Sequence, residues 1–215
     1  MKVFLTGGTG YMGSRLIQRL ISRGHEVRAL VRPTSESKLP AGCTPVLGNA
    51  LDAASYAAHV RPAEAFVHLI GVAHPSPAKA QQFLTVDLAS IRAAINAAAG
   101  AGIHHLVYVS VAHPAPMMKA YIAARSEGEA LIQAAGLNAT ILRPWYVLGP
   151  GHRWPVILQP FYWLAGQFPN ARESARRLGL VTIHQMVAAL LRAVENPVSG
   201  VRIVEVPEIR SGTRR

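Results

Sequence analysis

The chain has 215 residues, half of them hydrophobic and only 15% charged, with one cysteine and a net charge of +11. That length suits one α/β domain with a buried core, and that composition excludes a disordered chain. A lone Cys43 excludes an internal disulfide, and no apolar run reaches the roughly 18 residues that a membrane span needs.

In chain order, residues 2–6 read as a short buried strand stopped by glycine. Residues 11–23 carry Leu16, Ile17, Leu20 and Ile21 at helical spacing and end at Gly24. The opening therefore reads as a strand running into glycines rather than as a signal peptide, and a cytoplasmic location is expected. Strands follow at 26–31 and 44–47, then a helix at 53–59 and a strand at 65–70. An Ala-rich helical stretch covers 78–101. Then come a strand at 106–111, a helix at 119–135, a strand at 139–142, a helix at 187–194 and a strand at 201–206. Apolar strands alternating with helices predict a parallel sheet covered on both faces, which means an α/β, doubly wound Rossmann-type fold. Residues 145–180 break the alternation without a clear strand. They are read as a small substrate-side insertion in a single domain spanning 1–215.

The basic residues are spread along the chain, apart from Arg172/Arg176/Arg177 and the tail Arg210/Arg214/Arg215. A nucleic-acid surface concentrates charge with interleaved aromatics, so no specific nucleic-acid partner is expected. Part of the positive field suits an anionic cofactor or substrate. No histidine spacing suggests a metal site. His113 and His184 read as surface or core histidines, and Cys43 as structural.

The most informative motif is Gly7-Gly8-Thr9-Gly10-Tyr11-Met12-Gly13. It follows a buried strand and opens an amphipathic helix. A turn without Cβ atoms lets backbone amides approach a pyrophosphate at the helix N-terminus. At the end of the second strand, sites for NAD place an acid that accepts the ribose 2′-hydroxyl. Here the chain offers Arg32 and no acid, so NADP(H) is expected over NAD(H), with Arg32 on the 2′-phosphate.

With this turn, the chain resembles the short-chain dehydrogenase/reductase superfamily. It is most similar to the atypical and extended members: NmrA-like proteins, complex I accessory-subunit-like proteins and the epimerase/dehydratase relatives. Further matching segments are Val31-Arg32-Pro33, Gly48-Asn49-Ala50, Leu69-Ile70-Gly71, Val107-Tyr108-Val109-Ser110 and Leu142-Arg143-Pro144. The resemblance implies a cofactor site of Gly7, Thr9, Gly10, Tyr11, Met12, Gly13 and Arg32. It puts Asn49 and Ala50 by the adenine, Ile70 and Gly71 along the cofactor, and Pro144, Tyr146 and Val147 near the nicotinamide. The superfamily usually has Asp at the position of Asn49 and more often Asn at that of Asp87.

Active members use Ser, Tyr and Lys, with Tyr and Lys four residues apart on a helix. The matching residues are Ser110, Tyr121 and Arg125. Ser110 would polarise a substrate carbonyl and Tyr121 would donate a proton. Arg125 would support the phenolate and bond the ribose hydroxyls, although an arginine cannot shed a proton near neutral pH. All three tryptophans, Trp145, Trp154 and Trp163, lie in an aromatic-rich stretch. That stretch suits a small hydrophobic or aromatic substrate such as a carbonyl or quinone, or else a lobe core or homodimer surface. Two readings stand: an NADP(H)-dependent oxidoreductase, and a non-catalytic dinucleotide-binding redox sensor or assembly protein.

Overall fold

Strand β1 (Lys2–Thr6) is the hub of the fold. Side chains alternate across a strand, so Val3 and Leu5 join one core cluster while Phe4 joins the other, on the opposite face. The computed structural model describes residues 1–115, 117–150 and 178–212. The remaining strands are β2 (Glu26–Val31), β3 (Thr44–Leu47), β4 (Ala65–His68), β5 (His105–Val109), β6 (Ala139–Arg143), β7 (Tyr146–Leu148), β8 (Leu180–Thr182) and β9 (Val201–Glu205). Seven of them form a sheet in the order β3-β2-β1-β4-β5-β6-β9, and every pairing is parallel. The order reverses between β1 and β4, and that switch opens a crevice at the carboxyl ends of the strands, where ligands of open α/β sheets bind.

Helices cover both faces. Helix α1 (Tyr11–Ser22) buries Leu16, Ile17 and Leu20. These join Met186, Leu190 and Val194 of α4 (Ile183–Glu195) in one cluster. On the other face, α2 (Ala89–Ala101) packs Ile91 and Ile95 against Phe66, Leu106 and Tyr108, with Ile132 of α3 (Lys119–Ala134). The last element is α5 (Val206–Ser211). Among the described residues no helix is long and apolar enough to cross a membrane.

The doubly wound reading stands, and several boundaries move. Residues 53–59 are two 3-10 turns, Ala53–Ser55 and Ala57–His59, instead of a helix. Tyr56 between them leaves helical geometry at φ −143° as its ring sinks into the core and stacks on Phe4. Strand β4 stops at His68 rather than at residue 70. The stretch 78–101 is not uniformly α-helical, since Phe83–Leu88 forms a π-helical turn that faces Phe83 and Asp87 inward. The segment read as lacking a strand contains β7, which pairs in parallel with β8. Most of that segment, with Trp154, Trp163, Arg172, Arg176 and Arg177, lies outside the described residues, as do Arg214 and Arg215.

Candidate functional site

The glycine turn sits at the switch between β1 and β4. Gly7 has φ +82°, and a Cβ there would sit 3.0 Å from the Leu69 carbonyl, so glycine lets the two strand ends cross. Gly10 N donates to Gly7 O at 3.0 Å and closes the turn. A Cβ on Gly13 would collide with that same Gly7 carbonyl, whereas a Cβ on Gly10 meets only Gly7 O, at 3.1 Å, and otherwise open space. Gly10 is also the N-cap of α1, which has no side-chain cap and no acid in its first turn. The first helical bond is Ser14 N to Gly10 O, so the amides of Met12 and Gly13 precede the ladder. An uncapped helix start behind an open backbone fits a pyrophosphate.

Around this turn the strand ends bring the other expected contacts to one edge. Arg32 is exposed where β2 runs into a 3-10 turn, Pro33–Lys38. Asn49 is exposed beside Ala50, and its Oδ1 already accepts from the Leu51 amide at 3.1 Å. Ile70 and Gly71 follow β4 directly. Pro144 accepts from the Ala112 amide at 2.9 Å, and Tyr146 and Val147 continue into β7. The Tyr11 hydroxyl packs so closely against Gly149 that a Cβ there would collide with it, which ties the glycine turn to the start of β7. Thr9 lies in the turn and is exposed.

Tyr121, Arg125 and Glu129 stand four residues apart on α3 and share one face. The Tyr121 ring packs on Phe83 at 5.0 Å between centroids, with the Arg125 guanidinium 5.3 Å from its own ring centre. Arg125 departs from the sequence expectation. Instead of reaching toward a ribose, its guanidinium is buried, ion-paired with Asp87 at 2.6 Å, and donates to Val109 O at 2.8 Å and Ile70 O at 3.2 Å. Asp87 in turn accepts from the Val72 amide at 3.0 Å. A fork of this reach fills the space beside Gly71, where a Cβ would collide with it. Burial works against the Arg125 charge, but Tyr121, Tyr108 and Asp87 hold the group more firmly protonated than an ordinary arginine. Burial also lifts Asp87 above its ordinary carboxylate value, against the pull of Arg125. Next to this pair His68 lies between Thr6 Oγ1 at 2.9 Å and Ser90 Oγ at 3.3 Å. Burial first, then Arg125, pushes His68 down to about 3, so it is neutral at working pH.

Ser110 immediately follows β5 and is buried, its hydroxyl donating to Glu129 Oε1 at 2.5 Å. Glu129 is also gripped by both prongs of Arg143, which bonds Glu205 at 3.1 Å. His113 Nε2 stands 3.5 Å from Glu129 Oε1. The sequence reading put Ser110, Tyr121 and Arg125 together and missed Glu129, Arg143 and His113. The four-residue step from Arg125 to Glu129 was the available signal for the first of these. Among the described residues no His, Cys, Asp and Glu group could hold a metal ion. A separate groove of about 340 Å³ lies at the amino ends of the strands, lined by Lys2, His25, Glu26 and Arg28, and gathers no such set.

A parallel sheet with an uncapped glycine turn at its switch point defines a dinucleotide-binding protein of the Rossmann class. Residues 7–155 match the NAD(P)H-binding domain family. The chain belongs to that family, within the short-chain dehydrogenase/reductase superfamily. It is 28% identical over 212 residues to a ceramide reductase of Caulobacter vibrioides, covering 97% of this chain and 65% of that protein. It is 27% identical over 171 residues to a 4-hydroxy-2-methyl-3-oxo-4-farnesyl-3,4-dihydroquinoline-1-oxide ketoreductase of Stigmatella aurantiaca, covering 69% of this chain and 51% of that protein. The chain thus spans between half and two thirds of these relatives' length. In fold it is similar to the Bordetella bronchiseptica enzyme WbmH in complex with NAD+, with a TM-score of 0.70 and 20% identity, covering 95% of this chain and 75% of that one.

Proposed function

We propose that the protein is an NADP(H)-preferring oxidoreductase that acts on a hydrophobic carbonyl or quinone-like substrate. The observation that carries this reading is the uncapped helix start behind the glycine turn of Gly7, Gly10 and Gly13, with Ser110 and Tyr121 supplied by the neighbouring strand end and helix. A nicotinamide bound there supplies or takes up a hydride. The Met12 and Gly13 amides hold its pyrophosphate, Arg32 its 2′-phosphate, Asn49 and Ala50 its adenine, and Ile70 and Gly71 its length. Pro144, Tyr146 and Val147 bound the nicotinamide end. Ser110 and Tyr121 present hydroxyls to the substrate oxygen. Arg125 acts from inside as a positioning residue, because its guanidinium is already committed to Asp87 and to two strand-end carbonyls. Two relatives whose names specify a ceramide and a farnesyl-bearing ketone support an apolar substrate.

A calorimetric titration with NADPH and NADH tests the cofactor, and NADPH consumption tests the chemistry. Suitable probes are 9,10-phenanthrenequinone, 4-nitrobenzaldehyde and a long-chain methyl ketone. Turnover of at least one, with NADPH bound more tightly than NADH, is expected. Binding without turnover of any probe favours the second reading, a non-catalytic dinucleotide sensor, which the inward commitment of Arg125 supports.

A further inference from the structure

Carbonyl reduction and alcohol oxidation each move one proton per hydride, and a guanidinium cannot relay it near neutral pH. Arg125 is moreover locked to Asp87, Val109 O and Ile70 O. Another chain of titratable groups begins at Ser110. Its hydroxyl donates to Glu129 Oε1, and that same oxygen faces His113 Nε2 across 3.5 Å. This Nε2 is buried and has no hydrogen-bond partner, while the His113 side chain as a whole is 23% exposed. The ring therefore has one end on the carboxylate and another part at the surface. The charged groups facing this set from packed elements are Arg143 of β6, which neutralises Glu129, and Glu205 beyond it at the end of β9.

We propose that Ser110, Glu129 and His113 form the proton path of the site, with Glu129 and His113 acting as positioning residues through Ser110. The proposal rests on the oxidoreductase reading above. In the oxidative direction the alcohol O–H gives its proton to Ser110 Oγ as its C–H electron pair leaves with the hydride to the nicotinamide. Ser110 passes its own proton along the existing bond to Glu129 Oε1. Glu129 passes it to His113 Nε2, and His113 releases it to solvent. Every group ends with the protons it began with, and the products are a carbonyl, a reduced cofactor and one proton. Reduction runs the same path backwards. The resting polarity, with Ser110 donating to Glu129, is the one that proton removal requires.

Two measurements test the path. In the cofactor-free protein, proton NMR should show a downfield ring N–H that is lost in both His113→Asn and Glu129→Gln. With the probe that the parent turns over fastest, His113→Ala should cut turnover by about 10- to 100-fold. Added imidazole should restore most of that loss, an effect no structural role of His113 would produce. Turnover of His113→Ala at the parent rate, a loss that imidazole leaves untouched, or the absence of the shared N–H each overturns the path while leaving the oxidoreductase reading intact. A parent that binds NADPH but consumes it with no probe fails that reading, and the path with it.

Discussion

Replacing Arg125 separates a cofactor contact from a clamp. The guanidinium makes an ion pair to Asp87 at 2.6 Å and hydrogen bonds to Val109 O and Ile70 O. Arg125→Met removes all three and leaves a buried carboxylate, a loss that typically costs about 3–5 kcal/mol. Asp87→Asn added to it removes the stranded charge, so the double variant should recover about 1–3 kcal/mol, a non-additivity expected of contacting residues. Arg125→Lys keeps the charge but has one ammonium for three acceptors in different directions. It should lose about 1–2 kcal/mol for the hydrogen bonds it cannot make. On the proposal that Ile70 and Gly71 run along the cofactor, NADPH affinity should weaken together with stability in all three variants. Urea unfolding followed by tryptophan fluorescence gives the stabilities, and calorimetry gives the affinities. If Arg125→Met lost NADPH binding while unfolding at the parent urea midpoint, the guanidinium would have to touch the cofactor, and the clamp would be wrong.

Gly10→Val should abolish NADPH binding with little loss of stability, since a Cβ there meets only Gly7 O. Gly13→Ala should damage both, because its Cβ collides with that carbonyl; equal unfolding midpoints in the two variants would contradict the turn geometry. Arg32→Ala should weaken NADPH by about 1.5–3 kcal/mol and leave NADH unchanged, and calorimetry that finds no preference in the parent refutes the assignment. Tyr121→Phe should slow turnover about tenfold, the worth of one hydrogen bond near 1.4 kcal/mol, with NADPH affinity unchanged in the same titration. His68 and His105 are pushed down by burial to about 3 and about 4, below the unfolded value, so the unfolded chain binds more protons and stability falls as pH drops from about 6.5 towards these values. Each should contribute about 1.4 kcal/mol per pH unit, and a slope unchanged in His68→Asn would show that His68 carries no such burden.

What the sequence disclosed follows from which forces are local. The strands 2–6 and 26–31 were legible because a parallel sheet buries both faces and writes itself as an apolar run. The glycine turn was legible because backbone geometry demands glycine whatever surrounds it. The π-helical turn at Phe83–Leu88 was not, since Phe83 and Asp87 are drawn inward by partners on α3 rather than by their neighbours in sequence. The parallel pairing of Tyr146–Leu148 with Leu180–Thr182 was equally invisible, being made by two three-residue segments more than thirty positions apart. Arg125 shows the same limit in the site. Its spacing from Tyr121 pointed to a cation beside a phenol, which is where the group stands, but only the fold reveals that Asp87 and two carbonyls already claim it.

Helix α3 carries a phenol, a cation and a carboxylate at Tyr121, Arg125 and Glu129 in a single stripe. Packing makes the stripe close: a Cβ on Gly128 would lie 2.8 Å from the Tyr108 hydroxyl, so the helix backbone rests almost on the strand beneath it. Buried charges of this kind seldom stabilise a fold more than apolar residues of equal volume would. Five charged side chains, Asp87, Arg125, Glu129, Arg143 and Glu205, are nevertheless gathered at the carboxyl edge of β4, β5, β6 and β9. Their arrangement is directional. Arg125 turns its charge inward and fixes the backbone at Val109 and Ile70, and Arg143 grips both Glu129 oxygens, sharing Oε1 with Ser110. A scaffold that needed only stability would have no reason to concentrate that electrostatic cost at the one edge proposed to receive a dinucleotide and its substrate.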